Sequence, residues 1–401
     1  MLKKIIKHTP VLLLYLIGMG GLVIADIVIA KYYQLADVEI WAFAKSVLLL
    51  AASACILGVD QVIVREPGAL KIILRFLVVR GTILAIIIAL GLSFFSNDVS
   101  GITWFFLVAS LSFLSFMFAI YRGALKMFSA QLALNGWKFV FLLLISFLIG
   151  SGIGIDVVLV LSIVSSLLLI VFIMFSSKKW LEKYKEENTK LNKKQIMSQS
   201  YKFVVLSLSL NLSINFEQIA INTIGNGESS SAVFAHFTVF LPLIVFLNGF
   251  VGFYLGPLLR KNRENFNLKN YYCFSGLFVF LSVILGLVSY FMGFFAFSEF
   301  YSGKYIFVNE FAIVTILIGA LRLLYSLPSS YISILGSEEA LLNYSKSNLL
   351  FVILFFIGVM LLIKLDFSVP LSVLISSLSN WCLRVGYGNY LSILELRKCQ
   401  I

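Results

Sequence analysis

About twelve stretches of roughly 20 apolar residues follow one another along this chain, and each is long enough to cross a bilayer as an α-helix. The composition agrees, since 60% of the 401 residues are hydrophobic and 12% are charged, about half the charged fraction of a soluble domain. The chain is therefore predicted to be an all-α, polytopic membrane protein. The predicted spans are 10–30, 40–59, 76–95, 103–121, 130–150, 155–176, 202–224, 231–257, 272–297, 309–334, 348–364 and 369–391.

Lysine and arginine are divided unevenly between the two sets of loops that these spans create. Of the 31 residues, 23 fall on the side of both termini, 3 fall on the opposite side, and 5 lie within spans. Because cytoplasmic loops are rich in lysine and arginine, both termini are predicted to be cytoplasmic. The net charge of +12 follows from this topology and does not indicate a nucleic-acid partner.

The longest linker divides the chain into two halves of six spans each. The prediction is an N-terminal bundle over 1–176, a basic cytoplasmic linker over 177–201, and a C-terminal bundle over 202–401. A shift of 191 residues places Asp26 on Glu217 and Lys45 on His236. An even number of spans separates the halves, so they have the same orientation and form a parallel repeat.

Eight ionisable side chains of Asp, Glu, His, Lys and Arg lie inside the predicted spans, more than two residues from either end. A charge at bilayer depth costs a few kcal/mol or more, so such residues usually face a bundle interior or an aqueous path. Five of the eight are lysine or arginine, and these residue types bind phosphate as point charges or through a planar fork. The pattern therefore predicts an interior that holds an anion. The eight are Asp26, Lys45, Arg80, Lys138, Glu217, His236, Arg322 and Arg384.

The acids and bases at repeated positions predict two pairs. Asp26 and Lys45 lie at depths that agree within about one helical turn, so an ion pair between adjacent spans is expected. Glu217 and His236 are expected to pair in the same way. As functional sites, Asp26 and Glu217 would couple an ion to transport. The alternatives are static structural pairs and, for the two bases, side chains that reach the outer interface.

The other embedded cations have two interpretations. Arg322, Lys138 and Arg384 lie deeper in their spans and are predicted to bind substrate in a cavity, with Lys45 at its outer mouth. Arg80 lies about a turn inside its span, so the sequence favours an arginine that reaches the headgroups. For Lys138 and Arg384 the functional and the structural interpretation are equally open.

Catalytic and metal chemistry have little support in the sequence. The four cysteines lack metal-type spacing, and the chain has only two histidines. No metal, no cofactor and no enzymatic activity are therefore predicted. A membrane polysaccharide polymerase or acyltransferase is a further alternative, but such enzymes need a large outer loop or a histidine-based site.

The architecture resembles the multidrug/oligosaccharidyl-lipid/polysaccharide (MOP) exporter superfamily. The resemblance rests on twelve spans in two parallel halves, a basic linker, short outer loops and a cationic interior. Within the superfamily, the chain is most similar to the Wzx-type flippases of O-antigen and other polysaccharides. The local similarity is Tyr121-Arg122-Gly123 with Leu125 and Lys126 at an inner turn, whereas the equivalent turn at 335–337 is much less basic.

The resemblance implies a MATE-like fold in the bacterial inner membrane. Its implied function is to move undecaprenyl-pyrophosphate-linked oligosaccharide, an O-antigen or other lipopolysaccharide repeat unit, from the inner to the outer leaflet by alternating access. It also implies a monomer in contact with membrane lipid, with a polysaccharide polymerase and assembly proteins as possible partners. A MATE-like drug or metabolite antiporter is the alternative.

Overall fold

The computed structural model describes residues 2–65, 67–95, 99–148, 152–184, 192–301 and 303–398. Within these ranges the chain forms α-helices joined by short turns, and it contains no β-strand. The fourteen described α-helices are α1 (Leu2–Tyr32), α2 (Leu35–Cys55), α3 (Val59–Arg65), α4 (Leu70–Phe95), α5 (Gly101–Gly123), α6 (Met127–Leu148), α7 (Ile155–Tyr184), α8 (Lys193–Ile224), α9 (Gly227–Phe240), α10 (Pro242–Lys261), α11 (Leu268–Tyr301), α12 (Asn309–Ile334), α13 (Glu338–Lys364) and α14 (Val369–Lys398).

Eleven of the described helices are long and apolar enough to cross a membrane. Every predicted span coincides with helix over most of its length, although residues 56–58 form a turn and residues 149–150 lie outside the described part of the chain. Two spans differ further from the prediction. The span predicted at 231–257 is divided into α9 and α10, because Pro242 has no N–H to donate and therefore interrupts the helical ladder. The span predicted at 369–391 forms α14. Its polar residues make this helix less apolar, so it is not among the eleven helices named above.

The outer surfaces of these helices are apolar, as the surface of a membrane protein must be. In α11 the buried positions include Tyr271, Phe278, Ser282 and Ser289, which form one narrow stripe along the helix. The remaining faces expose large hydrophobic residues such as Phe291. A helix that is hydrophobic all round belongs in lipid or in a protein core. The chain is therefore a multi-pass membrane protein.

Two compact units make up the described fold. Unit 1 comprises Met1–Asp26 and Ala44–Asn211, and unit 2 comprises Ile27–Phe43 and Leu212–Ile401. These limits fall within α1, α2 and α8, whereas the predicted boundary lay in the linker 177–201. Of that linker, residues 185–191 lie outside the described part of the chain.

In unit 1, α1 and α6 approach each other closely at a glycine. A Cβ atom added to Gly18 would lie 2.5 Å from the Cβ atom of Asn135, and one added to Gly21 would lie 3.3 Å from the backbone oxygen of Lys138. Because Gly has no side chain, the two backbones can pack at this distance. This contact places the polar side of α6 directly against α1.

In unit 2, an apolar core joins four helices. The buried cluster contains Ala220 and Ile221 of α8, Val233 of α9, Phe355 of α13 and Val373 of α14. The start of α9 is fixed by the side chain of an N-cap residue, Asn226, whose Oδ1 accepts a hydrogen bond from the Ser229 amide at 2.9 Å. These contacts set the rotation of α8 and α9, which carry two of the predicted site residues.

Candidate functional site

Unit 1 contains the ion pair that the sequence predicts between adjacent spans. Asp26, in the second half of α1, accepts a hydrogen bond from the ammonium group of Lys45 in α2. The carboxylate side chain is 3% exposed, whereas the lysine side chain is 25% exposed. The predicted pairing is therefore confirmed. It joins one enclosed group to one group that solvent can still reach.

Lys138 is a buried cation of unit 1 whose ammonium group contacts neutral side chains and interacts electrostatically with Asp26 and Lys45. It donates to Asn135 Oδ1 at 2.7 Å and contacts Met19 Sδ at 3.0 Å. Asn135 in turn donates to Gln131 Oε1 at 2.5 Å. Residues 131, 135 and 138 share one face of α6 because of the helical repeat. This polar stripe holds Lys138, which is 7% exposed, within the unit.

Unit 2 contains a more enclosed ion pair, between α8 and α12. Arg322 Nη2 lies 2.7 Å from each carboxylate oxygen of Glu217, and the side chains are 7% and 2% exposed. Ser377 of α14 also donates to Glu217 Oε1. Hydrogen bonds from two different helices therefore hold this carboxylate in place.

The predicted pair between Glu217 and His236 is wrong. Glu217 binds Arg322, while His236 Nδ1 lies 2.8 Å from the Ala232 carbonyl oxygen and its Nε2 accepts the Val308 amide at 3.1 Å. Because Nε2 accepts, Nδ1 carries the proton and donates to Ala232, so the imidazole is neutral in this arrangement.

Phenylalanine rings enclose the imidazole of His236. Four rings lie with centroids 4.6 to 6.0 Å from that of the imidazole. An apolar cage disfavours an imidazolium, and it leaves no place for a carboxylate beside the ring. The four residues are Phe240, Phe297, Phe307 and Phe311.

Arg384 is fully enclosed in unit 2 by amide groups. Its Nε donates to Asn380 Oδ1 at 3.1 Å, and its terminal nitrogens donate to Asn348 Oδ1 at 2.5 Å and to the Asn348 carbonyl oxygen at 2.9 Å. The guanidinium carbon of Arg384 lies 5.6 Å from the centre of the Trp381 ring, and that of Arg322 lies 5.3 Å from it. Both arginines therefore make cation–π contacts with one indole.

Arg80 differs from the other embedded cations because its side chain is exposed. Its guanidinium lies 4.4 Å from the centre of the Phe76 ring, one helical turn away. The side chain therefore extends along the helix surface, and its reach to the headgroups stays a prediction.

The structure thus divides the predicted site residues between the two units. Unit 1 holds Asp26 with Lys45, and Lys138 nearby on α6; unit 2 holds Glu217 with Arg322, and Arg384 on the same indole. Sequence reasoning missed the partners Asn135, Asn348 and Ser377. Each is a polar residue in an apolar helix, which is the only signal that could have found them. Among the described residues, no group of three or more His, Cys, Asp or Glu is placed to hold a metal ion.

Comparisons with known proteins identify the fold but not a close relative. No family model matches the sequence, and no curated protein matches it. The structure is similar to a MATE in complex with MaL6 (13% identity, TM-score 0.63, 97% of this chain and 96% of that chain). It is also similar to a mutant of the Vibrio cholerae MATE transporter VcmN (16% identity, TM-score 0.64, 97% and 95%).

A third similar structure is an outward-facing multidrug resistance MATE family transporter of the MOP superfamily (15% identity, TM-score 0.62, 97% of this chain and 96% of that chain). Likeness over nearly the whole length of these chains, at such low identity, is a likeness of fold. The chain therefore has a MATE-like fold.

Proposed function

We propose that this protein is a membrane transporter that flips undecaprenyl-pyrophosphate-linked oligosaccharide from the inner to the outer leaflet of the bacterial plasma membrane. The observation that carries the proposal is the charge of the helix interiors. Each of the two carboxylates buried well inside a predicted span binds one cation, and Lys138 and Arg384 are buried in addition to these pairs. The third buried carboxylate among the described residues, Glu395, lies in the last turn of α14 and binds Lys398. An interior with more cations than acids favours an anionic cargo such as a pyrophosphate.

The burial of the four predicted substrate-binding cations separates their roles. The side chain of Lys45 is a quarter exposed, which makes it the most exposed of the four. Lys138 is nearly enclosed, and Arg322 and Arg384 are held by Glu217 and by amides. We therefore assign direct contact with the cargo first to Lys45. The enclosed cations contribute mainly through the positive field that they create.

Asp26 suits ion coupling better than Glu217 does. Its partner Lys45 is a flexible point charge, and it is more exposed than the partner of Glu217. Protonation of Asp26, or sodium binding to it, would release the Lys45 ammonium for the pyrophosphate. The cargo and Asp26 would thus compete for one cation. Glu217, which three hydrogen bonds from Arg322 and Ser377 hold, would need much more energy to change state.

The proposed transport cycle is alternating access, with the sugar headgroup passing through the protein and the polyprenyl chain remaining in lipid. The protein would act as a monomer, with its termini in the cytoplasm. A polysaccharide polymerase and assembly proteins would use its product. No covalent step is proposed.

The alternative function is a drug or metabolite antiporter. One structure of the same fold is described as a multidrug resistance transporter, and an embedded carboxylate such as Asp26 can serve a proton or sodium cycle. Export of a cationic drug would, however, require the cargo to enter an interior that holds more cations than acids.

Reconstitution into liposomes tests the proposal directly. The cargo is a short-chain polyprenyl-pyrophosphate oligosaccharide, and flipping is measured as exposure of its sugar to an enzyme that cannot cross the membrane. The wild type is expected to flip this cargo, and Lys45→Met and Lys138→Met are expected to slow it. Lys346→Met makes the same substitution at an exposed position and is expected to leave the rate unchanged.

A second arm of the experiment distinguishes the two functions. The same liposomes are loaded with a fluorescent cationic drug, and its efflux is followed under a proton or sodium gradient. Efflux of the drug by a preparation that moves no pyrophosphate-linked sugar would overturn the flippase proposal and favour the antiporter.

A further inference from the structure

A recess of about 250 Å³ lies between the end of α10 and the start of α11 in unit 2. Its lining combines two chemistries. Leucine and phenylalanine side chains, Leu258 and Phe274 among them, form the apolar part, and three asparagines form the polar part. The asparagines are Asn262, Asn265 and Asn270.

Two of the asparagines shape the recess and the third is available to a ligand. Asn262 Nδ2 donates to the Leu258 carbonyl oxygen at 3.0 Å, and Asn270 Nδ2 donates to the Asn265 carbonyl oxygen at 2.9 Å. These bonds fix the turn that joins the two helices. Within the described part of the chain, the side-chain amide of Asn265 has no hydrogen-bond partner, and the residue is exposed.

The turn around the recess is strongly basic. Residues 260–269 contain four cations and a single acid, Glu264. Lys261, Arg263 and Lys269 have exposed side chains. The distribution of loop charges predicts that this turn faces the cytoplasm, where anionic lipids create a negative surface potential. The fourth cation is Arg260.

The recess therefore presents an amide next to an apolar surface of leucine and phenylalanine side chains, and the turn that joins the two helices carries several cations. Leu258 is 44% exposed, so this apolar surface is open at its side. An amphipathic molecule with an anionic head and a hydrocarbon chain matches both parts. Basic recesses of this kind between transmembrane helices bind anionic lipid headgroups.

We propose that this recess binds an anionic glycerophospholipid of the inner leaflet. The phosphate accepts a hydrogen bond from the Asn265 amide and is neutralised by Lys261 and Arg263, while one acyl chain lies along Leu258 and Phe274. The lipid is a bound component of the protein and not its cargo. The proposal therefore goes beyond the proposed function and does not depend on it.

Native mass spectrometry of the full-length protein tests the site, with phosphatidylglycerol and phosphatidylcholine of identical acyl chains as probes. The wild type is expected to bind phosphatidylglycerol more tightly. Lys261→Gln/Arg263→Gln is expected to weaken phosphatidylglycerol binding about 30-fold, at about fivefold per cation, and to leave phosphatidylcholine unchanged. The charge-matched control Lys194→Gln/Lys346→Gln removes two exposed cations elsewhere and is expected to retain the preference.

An isosteric variant tests the amide separately. Asn265→Asp places a negative charge in the recess without changing side-chain size, so it is expected to weaken phosphatidylglycerol binding and spare phosphatidylcholine. Asn192→Asp, at the exposed start of α8, is its control, because the Asn192 Oδ1 acceptor that caps Gln195 is retained. Thermal unfolding of each variant checks that the fold is intact.

Two results would overturn the proposal. One is equal affinity of the wild type for the two lipids, which would mean that the headgroup is not recognised. The other is unchanged phosphatidylglycerol binding in both recess variants, which would place the lipid elsewhere. A second copy of the chain that excludes lipid from this recess would count against it as well. Flipping in liposomes is measured independently, so failure here leaves the proposed function standing.

Discussion

The acids of the two embedded ion pairs occupy repeated positions in the sequence, yet the pairs are built differently. In unit 1, Asp26 binds Lys45, a flexible lysine that is a quarter exposed. In unit 2, both partners are nearly enclosed, Glu217 receives hydrogen bonds from Arg322 and Ser377, and the arginine also lies against an indole.

Because of this difference, the Asp26–Lys45 pair is suited to exchanging its partners, whereas the Glu217–Arg322 pair is suited to stabilising the fold. A partly exposed lysine can reach water or a ligand when it leaves its carboxylate, so the cost of separation is modest. An arginine without its carboxylate in an enclosed site remains a buried, uncompensated charge. The same acid position in the repeat can therefore serve ion coupling in unit 1 and stability in unit 2.

The largest effect is expected for Glu217→Gln. The variant leaves Arg322 charged and enclosed, and such a loss costs about 3 to 5 kcal/mol in other proteins. Thermal unfolding of the purified protein in detergent measures it. The double variant Glu217→Gln/Arg322→Gln is the control, because it removes both charges and is expected to recover part of the loss. A single variant as stable as wild type would show that water already compensates Arg322.

A smaller loss, about 1 to 2 kcal/mol, is expected for Arg322→Lys. Lysine retains the charge but loses the planar group that lies against Trp381 and reaches both carboxylate oxygens. The measurement is again thermal unfolding. Lys346→Arg, an exchange of the same two residue types at an exposed position, is its reference. Equal stability of Arg322→Lys and wild type would mean that charge alone holds the pair.

The sequence predicted the fold of these regions more fully than their contacts. Apolar stretches of about 20 residues specify membrane helices regardless of their neighbours, so most spans coincide with helices at close to their predicted limits. The division of one span at Pro242 followed from a proline whose missing N–H has a local effect. By contrast, the limits of the two units depend on which helices pack together.

The ion pairs also divide into one that the sequence predicts locally and one that depends on how the helices pack. Asp26 and Lys45 were predictable because they lie at similar depth in consecutive helices. The Glu217–Arg322 pair joins residues 105 positions apart, and it depends on the rotation of α8 and α12 about their axes. The repeat alone suggested His236 as the partner. It did not reveal that His236 would satisfy both nitrogens with backbone groups inside a cage of phenylalanines.

An effect of about 1 kcal/mol is expected for Ser377→Ala. This change removes one of the hydrogen bonds to the Glu217 carboxylate and leaves the ion pair in place. Unfolding temperatures of the variant and of Ser379→Ala, an exposed serine two residues further along α14, give the comparison. If the two variants are equally stable, the serine contributes nothing to the difference between the units.

The smallest effect on stability, below about 1 kcal/mol, is expected for Asp26→Asn, because Lys45 can extend toward solvent when its partner is neutral. In liposomes, however, this variant is expected to flip cargo at a rate that no longer responds to a proton or sodium gradient. Stability lost to the same extent as in Glu217→Gln would remove the distinction between the two pairs. A gradient response equal to that of wild type would remove Asp26 from ion coupling.

The close approach of α1 and α6 means that Gly18, which has no side chain, affects the geometry around Lys138. A methyl group there would overlap Asn135, the residue that binds the ammonium of Lys138, so the two backbones would have to separate. The absence of a side chain at residue 18 therefore sets the distance between the two helices and, with it, the position of the positive charge. The size of residue 18 can then be used to vary that position. Substitution by alanine and then serine would displace Lys138 in graded steps while leaving every charged residue of the chain unchanged.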